Sequence, residues 1–172
     1  DNPLTNDKKE LGRLLFYDPI LSGNKDVACA TCHHPDFGYA ENIDISIGVN
    51  GVGLGEKRKF KPHNNIPFTK RNAQSLLNTA FNGINESGIY SPEVAPMFWD
   101  LRTKSLESQA ILPIKALEEM RGQRIREDQI LVIIEKRLNQ IPEYVQLFKR
   151  AFPGSRSISM DHVVKTIATF ER

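Results

Sequence analysis

Long apolar runs are missing from this sequence, and one class of function goes with them: no stretch approaches the roughly 20 residues that a membrane span needs. A surplus of charge of one sign is missing too. Lys and Arg number 23 against 21 Asp and Glu, for a formal charge of +2 and a pI near 8.6, which is too mild to point to nucleic acid. Strand-like alternation of useful length is absent, and so is any internal repeat. Cysteine is scarce, with two in 172 residues. A disulfide between those two would close so short a loop that it would stabilise little. Histidine numbers only four, so a zinc site built on the cysteines would have to recruit the distant His63 and His162.

What is present is concentrated in "VACATCHHPDFGY", residues 27–39, which holds both cysteines and two of the histidines. Two thiols three positions apart with an imidazole next to the second suit a haem attached through its vinyl groups. Cys29 and Cys32 would form the thioethers and His33 would be the axial ligand of the iron. Zinc and a redox dithiol are the alternatives. A thioredoxin-like pair wants a strand before it and a helix after it, whereas His34, Pro35 and Gly38 read as loop.

The rest of the chain reads as all-α with long loops. Expected helices cover 6–19 with Asn6 as cap, 71–81, 103–120 with an interruption at Pro113, 126–140 with acidic residues in its first turn, 142–152 starting on Pro142, and 159–172. Residues 34–72 are irregular and include the glycine-rich "GVNGVGLG" at 48–55, a length of loop that suggests wrapping around a cofactor. The basic cluster "EKRKFKPH" at 56–63 reads as a solvated loop, with docking of an acidic partner as the other use.

Several stretches together resemble the bacterial dihaem cytochrome c peroxidase family: "LGRLLFYDPILSGNKDVACATCH", "TKRNAQSLLNTAFNG", "MFWDLRTKSLESQA", "ALEEM" and the tail "YVQLFKRAFPG…VVKTIATFER". The resemblance implies a cytochrome c-like fold with loops wrapped around one haem c, equivalent to the family's first, peroxide-reacting domain over residues 1–172. It also implies a second haem domain, absent from this sequence. The expectation is therefore a fragment or one chain of a split pair, with a genuine single-haem relative as the other case.

The same resemblance assigns site residues. Glu119 would be the distal acid that accepts and returns a proton, and Gln109 the hydrogen-bond donor that orients peroxide. Trp99 would lie between the two haems and assist electron transfer, and Phe98 would pack in the distal pocket. Arg71 would pair with a haem propionate, and Asn72 would help to bind a calcium ion. Two departures matter. The usual W-D-G-R reads Trp99-Asp100-Leu101-Arg102 here, and leucine resists the left-handed conformation that glycine permits. Many family members also carry an iron-blocking histidine where Val49 stands, and valine cannot ligate iron. The haem is then expected to be open without an activation step. His63 is the residue that could close it, with Met97, Met120 and Met160 as weaker rivals; His34 and His162 read as ordinary polar residues.

The implied activity is reduction of hydrogen peroxide to water in the periplasm, with electrons from a small c-type cytochrome or cupredoxin through the second haem. The variant is a relative that oxidises a protein or organic substrate at the same haem. The non-enzymatic alternative is a single-haem electron carrier, which would need a second strong axial ligand that the sequence does not offer. A homodimer is compatible with the resemblance.

Overall fold

The computed structural model describes residues 2–172. Among the described residues the helices are α1 Asn6–Tyr17, α2 Cys29–Cys32, α3 Leu106–Lys115, α4 Ile130–Asn139, α5 Pro142–Ala151 and α6 Met160–Glu171. Two short antiparallel hairpins pair β1 Gly51–Val52 with β2 Lys59–Phe60 and β3 Pro96–Met97 with β4 Thr103–Lys104. None of the described helices is long and apolar enough to cross a membrane. The chain divides into two compact units, one of residues 2–14, 78–112 and 135–172, the other of 15–77 and 113–134.

In the first unit the apolar stripe of α6 (Val163, Val164, Ile167, Ala168) is buried together with Tyr144, Phe148 and Ala151 of α5. Pro142 opens α5 at the position where its missing N–H leaves nothing unpaired. Ser159 caps α6, its hydroxyl accepting from the His162 N–H while the His162 ring accepts from the Ser159 N–H, so His162 is a capping residue stacked on Phe152. In the second unit Leu15, Phe16, Leu21, Val27, Val49, Ile114, Ile130 and Ile134 are fully buried.

Five expectations need correction. Thr5, and not Asn6, caps α1: its Oγ1 accepts from the Lys8 N–H at 3.3 Å. Helix α3 starts at Leu106 because Thr103 and Lys104 pair with Pro96 and Met97. It then passes through Pro113 and breaks at Ala116, which adopts extended geometry before a π-turn over Leu117–Arg121. Helix α4 starts at Ile130; Arg126 and Asp128 pair with each other outside it, so its first turn has no acid. Finally, residues 71–77 form no helix, and only Thr79–Gly83 coil, as a 3-10 segment. The backbones of Gln74 and Leu76 bond to His33 and Tyr39 and not within a helix of their own.

Candidate haem site

Within the second unit the C-x-x-C-H motif forms a single helical turn, α2. Thr31 N–H donates to the Ala28 carbonyl at 3.0 Å, the Thr31 hydroxyl accepts from the Ala28 N–H at 3.0 Å, and His33 N–H closes the turn on Cys29 O at 2.9 Å. One turn places residues three apart on one face, so both thiols face one way. They are not joined in a disulfide. Burial pushes the Cys32 thiol pKa up, and the carboxylates of Glu41 and Glu119 add to this against the pull of Arg58.

His33 is oriented by the loop that follows it. Pro35–Phe37 make a 3-10 turn capped by the His34 ring, which accepts from the Asp36 N–H at 3.2 Å. Gly38 turns left-handed at φ 65°, as does Tyr39 at φ 56°. The loop closes on His34 N–H to Ala40 O at 2.9 Å. This brings the Tyr39 carbonyl to 3.0 Å from His33 Nδ1, which donates to it and leaves Nε2 as the free lone pair. Burial holds the imidazole below its ordinary pKa, against the opposing backbone hydrogen bonds of Tyr39 and Gln74. A neutral ring with an anchored Nδ1–H is what an iron ligand requires.

Segment 71–77 lines this loop without forming a helix. Leu76 N–H donates to Tyr39 O at 3.3 Å and Ser75 Oγ to Gly38 O at 2.6 Å. Asn72 Nδ2 donates to Ile43 O, and Arg71 lies at the surface, where its carbonyl accepts from Thr69 Oγ1.

Glu119 sits in the π-turn, half-buried. Its carbonyl accepts from the Val49 N–H at 3.0 Å, and the next carbonyl, of Met120, accepts from Gly23 N–H at 2.8 Å. Gly48 lies so close to the Glu118 and Glu119 carbonyls that a Cβ there would overlap them. Val49 is therefore sealed against the turn that carries Glu119, with no exposed surface. His63 is exposed, at φ 58°, on a loop stapled by Asn50 Nδ2 to Asn64 Oδ1 at 2.7 Å. Met120 is buried in this unit; Met97 and Met160 are buried in the other.

Two charged side chains that sequence reasoning did not single out complete the site. Glu41 is buried, and neither carboxylate oxygen has a hydrogen-bond partner within normal geometry. Burial raises its pKa to about 7, outweighing the opposing pull of Ala73 N–H, Arg58 and Cys32. Arg58, read from sequence as part of a solvated basic loop, is only 7% exposed, whereas its neighbours Lys57, Lys59 and Lys61 are solvated. Nothing in the local sequence separates it from those lysines.

Gln109, Trp99 and Phe98 belong to the first unit. Gln109 is half-buried on α3, its N–H on the Ser105 carbonyl at 3.1 Å. Trp99 is at the tip of the β3–β4 hairpin and 60% exposed. Phe98 packs on the cluster Ala95, Met97, Leu106 and Ala168, with the Arg102 guanidinium 3.6 Å above its ring. Leu101 does adopt the left-handed conformation, at φ 55°, and Phe98 does so at φ 69°. The W-D-L-R turn thus keeps its shape without glycine.

The residues fit a covalently held haem: two thiols on one helical face beside an anchored imidazole that burial keeps neutral. They do not fit zinc, since among the described residues no group of three or more His, Cys, Asp or Glu side chains is arranged to hold a metal ion. A helical domain with a C-x-x-C-H turn and a loop-wrapped site defines a c-type haem domain.

A family model described as di-haem cytochrome c peroxidase matches residues 6–172. Methylamine utilization protein MauG of Methylorubrum extorquens is 34% identical over 171 residues, covering 99% of this chain and 39% of that protein. Cytochrome c551 peroxidase of Pseudomonas aeruginosa is 32% identical over 170 residues, covering 98% and 39%. The crystal structure of a MauG-like protein associated with microbial copper homeostasis superposes with a TM-score of 0.72 at 27% identity, covering 99% of this chain and 41% of that one. The chain belongs to the di-haem cytochrome c peroxidase family. It spans about two-fifths of the length of these relatives.

Proposed function

We propose that this chain is the peroxide-reacting haem domain of a periplasmic peroxidase. It would draw electrons from a small c-type cytochrome or cupredoxin through a second haem held by a further domain or chain. When bound, haem c supplies the iron that takes up peroxide and the route by which electrons reach it. The protein supplies the rest. His33, fixed by Tyr39, would ligate the iron. Glu119 would take a proton from one peroxide oxygen and return it to the other, so that hydrogen peroxide with two electrons and two further protons yields two waters. Gln109 would orient the peroxide. Exposed Trp99 would face the second haem, Arg71 a propionate, and Asn72, whose amide nitrogen donates to the Ile43 carbonyl, would help to bind calcium.

The observation that carries this reading is the pairing of an anchored His33 with a Glu119 that acts electrostatically on Cys32 and whose turn is tied down by Val49 and Gly23. A second reading, oxidation of a protein or organic substrate at the same haem, is favoured by the relatives named MauG and by the exposure of Trp99. The resting ferric holoprotein tests the open-iron part of both. A high-spin spectrum that changes on adding peroxide is expected, because Val49 cannot ligate. A purely low-spin, six-coordinate spectrum indifferent to peroxide would favour an electron carrier. Conversion of such a spectrum to high-spin by His63→Ala would identify His63 as the closing ligand.

A further inference from the structure

The glycine-rich stretch 48–55 is not accounted for by the haem chemistry, and part of it closes around an arginine. Arg58 donates from Nε to the Ile47 carbonyl, from Nη2 to Gly48 O at 2.6 Å and from Nη1 to Gly53 O at 2.8 Å. A side chain at Gly51 would collide with the guanidinium, its Cβ falling 2.6 Å from Nη2. Gly53 at φ 90° and Gly55 at φ 52° turn the chain back, so that β2 pairs with β1 and delivers Arg58 into the loop. A cation buried like this would ordinarily be unfavourable. Here a backbone carbonyl accepts from each of its three nitrogens, and Glu41 and Asp26 face it electrostatically.

The loop so gripped touches the catalytic turn. Gly48 and Val49 lie between the guanidinium and Glu119: Gly48 O accepts from Arg58, and the next N–H, of Val49, donates to Glu119 O. We propose that Arg58 is a positioning residue, which holds the Glu119 turn through the 47–53 loop as a built-in clamp. The functional part of this rests on the reading of Glu119 as the distal acid; the mechanical part does not.

Lysine keeps the charge at 58 but cannot span three carbonyls. Each lost charge-assisted bond is worth about 1.5–3 kcal/mol, equivalent to ten-fold or more in a local opening equilibrium. In the haem-loaded protein, Arg58→Lys is therefore expected to speed amide hydrogen exchange by about ten-fold or more in peptides covering both 46–53 and 116–122. It should also lower the per-haem rate of reaction with peroxide and shift the pH profile of that rate. Gly51→Ala, which retains Arg58 and displaces its guanidinium, should reproduce the pattern and serves if the lysine variant loads haem poorly. Exchange that is unchanged in both variants, or faster in 46–53 alone, overturns the clamp. Glu119→Gln, run in parallel, separates the two ideas. If it leaves the peroxide rate intact, the distal-acid reading fails, and the exchange data still decide the mechanical role of Arg58.

Discussion

The Nδ1 atom of His33 donates to the carbonyl oxygen of Tyr39 across 3.0 Å, and the left-handed Gly38 places that carbonyl. Such a bond makes an imidazole a stronger donor to iron and stabilises the oxidised state. A Cβ at position 38 would meet only Leu77, at an ordinary 3.8 Å, so Gly38→Ala is a conformational change alone. It should cost about 1 kcal/mol in stability and raise the midpoint potential by loosening the Tyr39 bond. Thermal unfolding and a potentiometric titration check the two parts; an unaltered potential would mean that the bond does not tune the ligand.

Gly48→Ala is expected to be harsher, because the new methyl would press on the backbone carbonyls of Glu118 and Glu119, which cannot swing away as a side chain could. A loss of about 1–3 kcal/mol fits overpacking of this kind. The peroxide rate should fall with it. Equal melting temperatures for this variant and the parent would contradict the close approach of loop and turn.

Glu41 gives the protein a specific pH dependence. Its pKa is raised from 4.5 to about 7 by burial, so the folded state binds its proton more tightly than the unfolded chain does. The resulting stability is fully present below about pH 4.5 and is lost as the pH rises through about 7. Glu41→Gln removes this dependence. The variant should gain on the parent by about 1–3 kcal/mol on going from pH 4.5 to pH 8, as urea denaturation at the two pH values would show. A gap that is the same at both would place the carboxyl in water.

Leu101 holds a left-handed conformation with 64% of its surface exposed, so it is strained without gaining much burial. Glycine there should match or exceed leucine in stability. Alanine should fall below glycine by about 1 kcal/mol, the reverse of the usual order at ordinary backbone positions. Thermal melts of Leu101→Gly and Leu101→Ala decide this, and alanine above glycine would contradict the turn.

The fold was legible where local chemistry and tertiary packing agree. Pro142 and Ser159 start helices for reasons visible within four residues. Legibility failed where backbone groups are claimed by distant partners. Residues 71–77 have helical periodicity, yet the Gln74 backbone bonds to His33 and Leu76 N–H to Tyr39, some 40 positions away. The same holds for charge: four basic residues between 57 and 61 look alike in sequence, and only the glycine cradle distinguishes Arg58, which it buries, from the three lysines. The Tyr39 carbonyl carries no side-chain signal at all.

The most direct test of the account is the second-order rate at which the ferric, haem-loaded protein reacts with hydrogen peroxide, compared between the parent and Glu119→Gln. An amide of the same shape keeps the turn and its bonds to Val49 and Gly23 but cannot move a proton. The account predicts a fall of about 100-fold or more with the haem content unchanged. A glutamine variant that reacts as fast as the parent would contradict it.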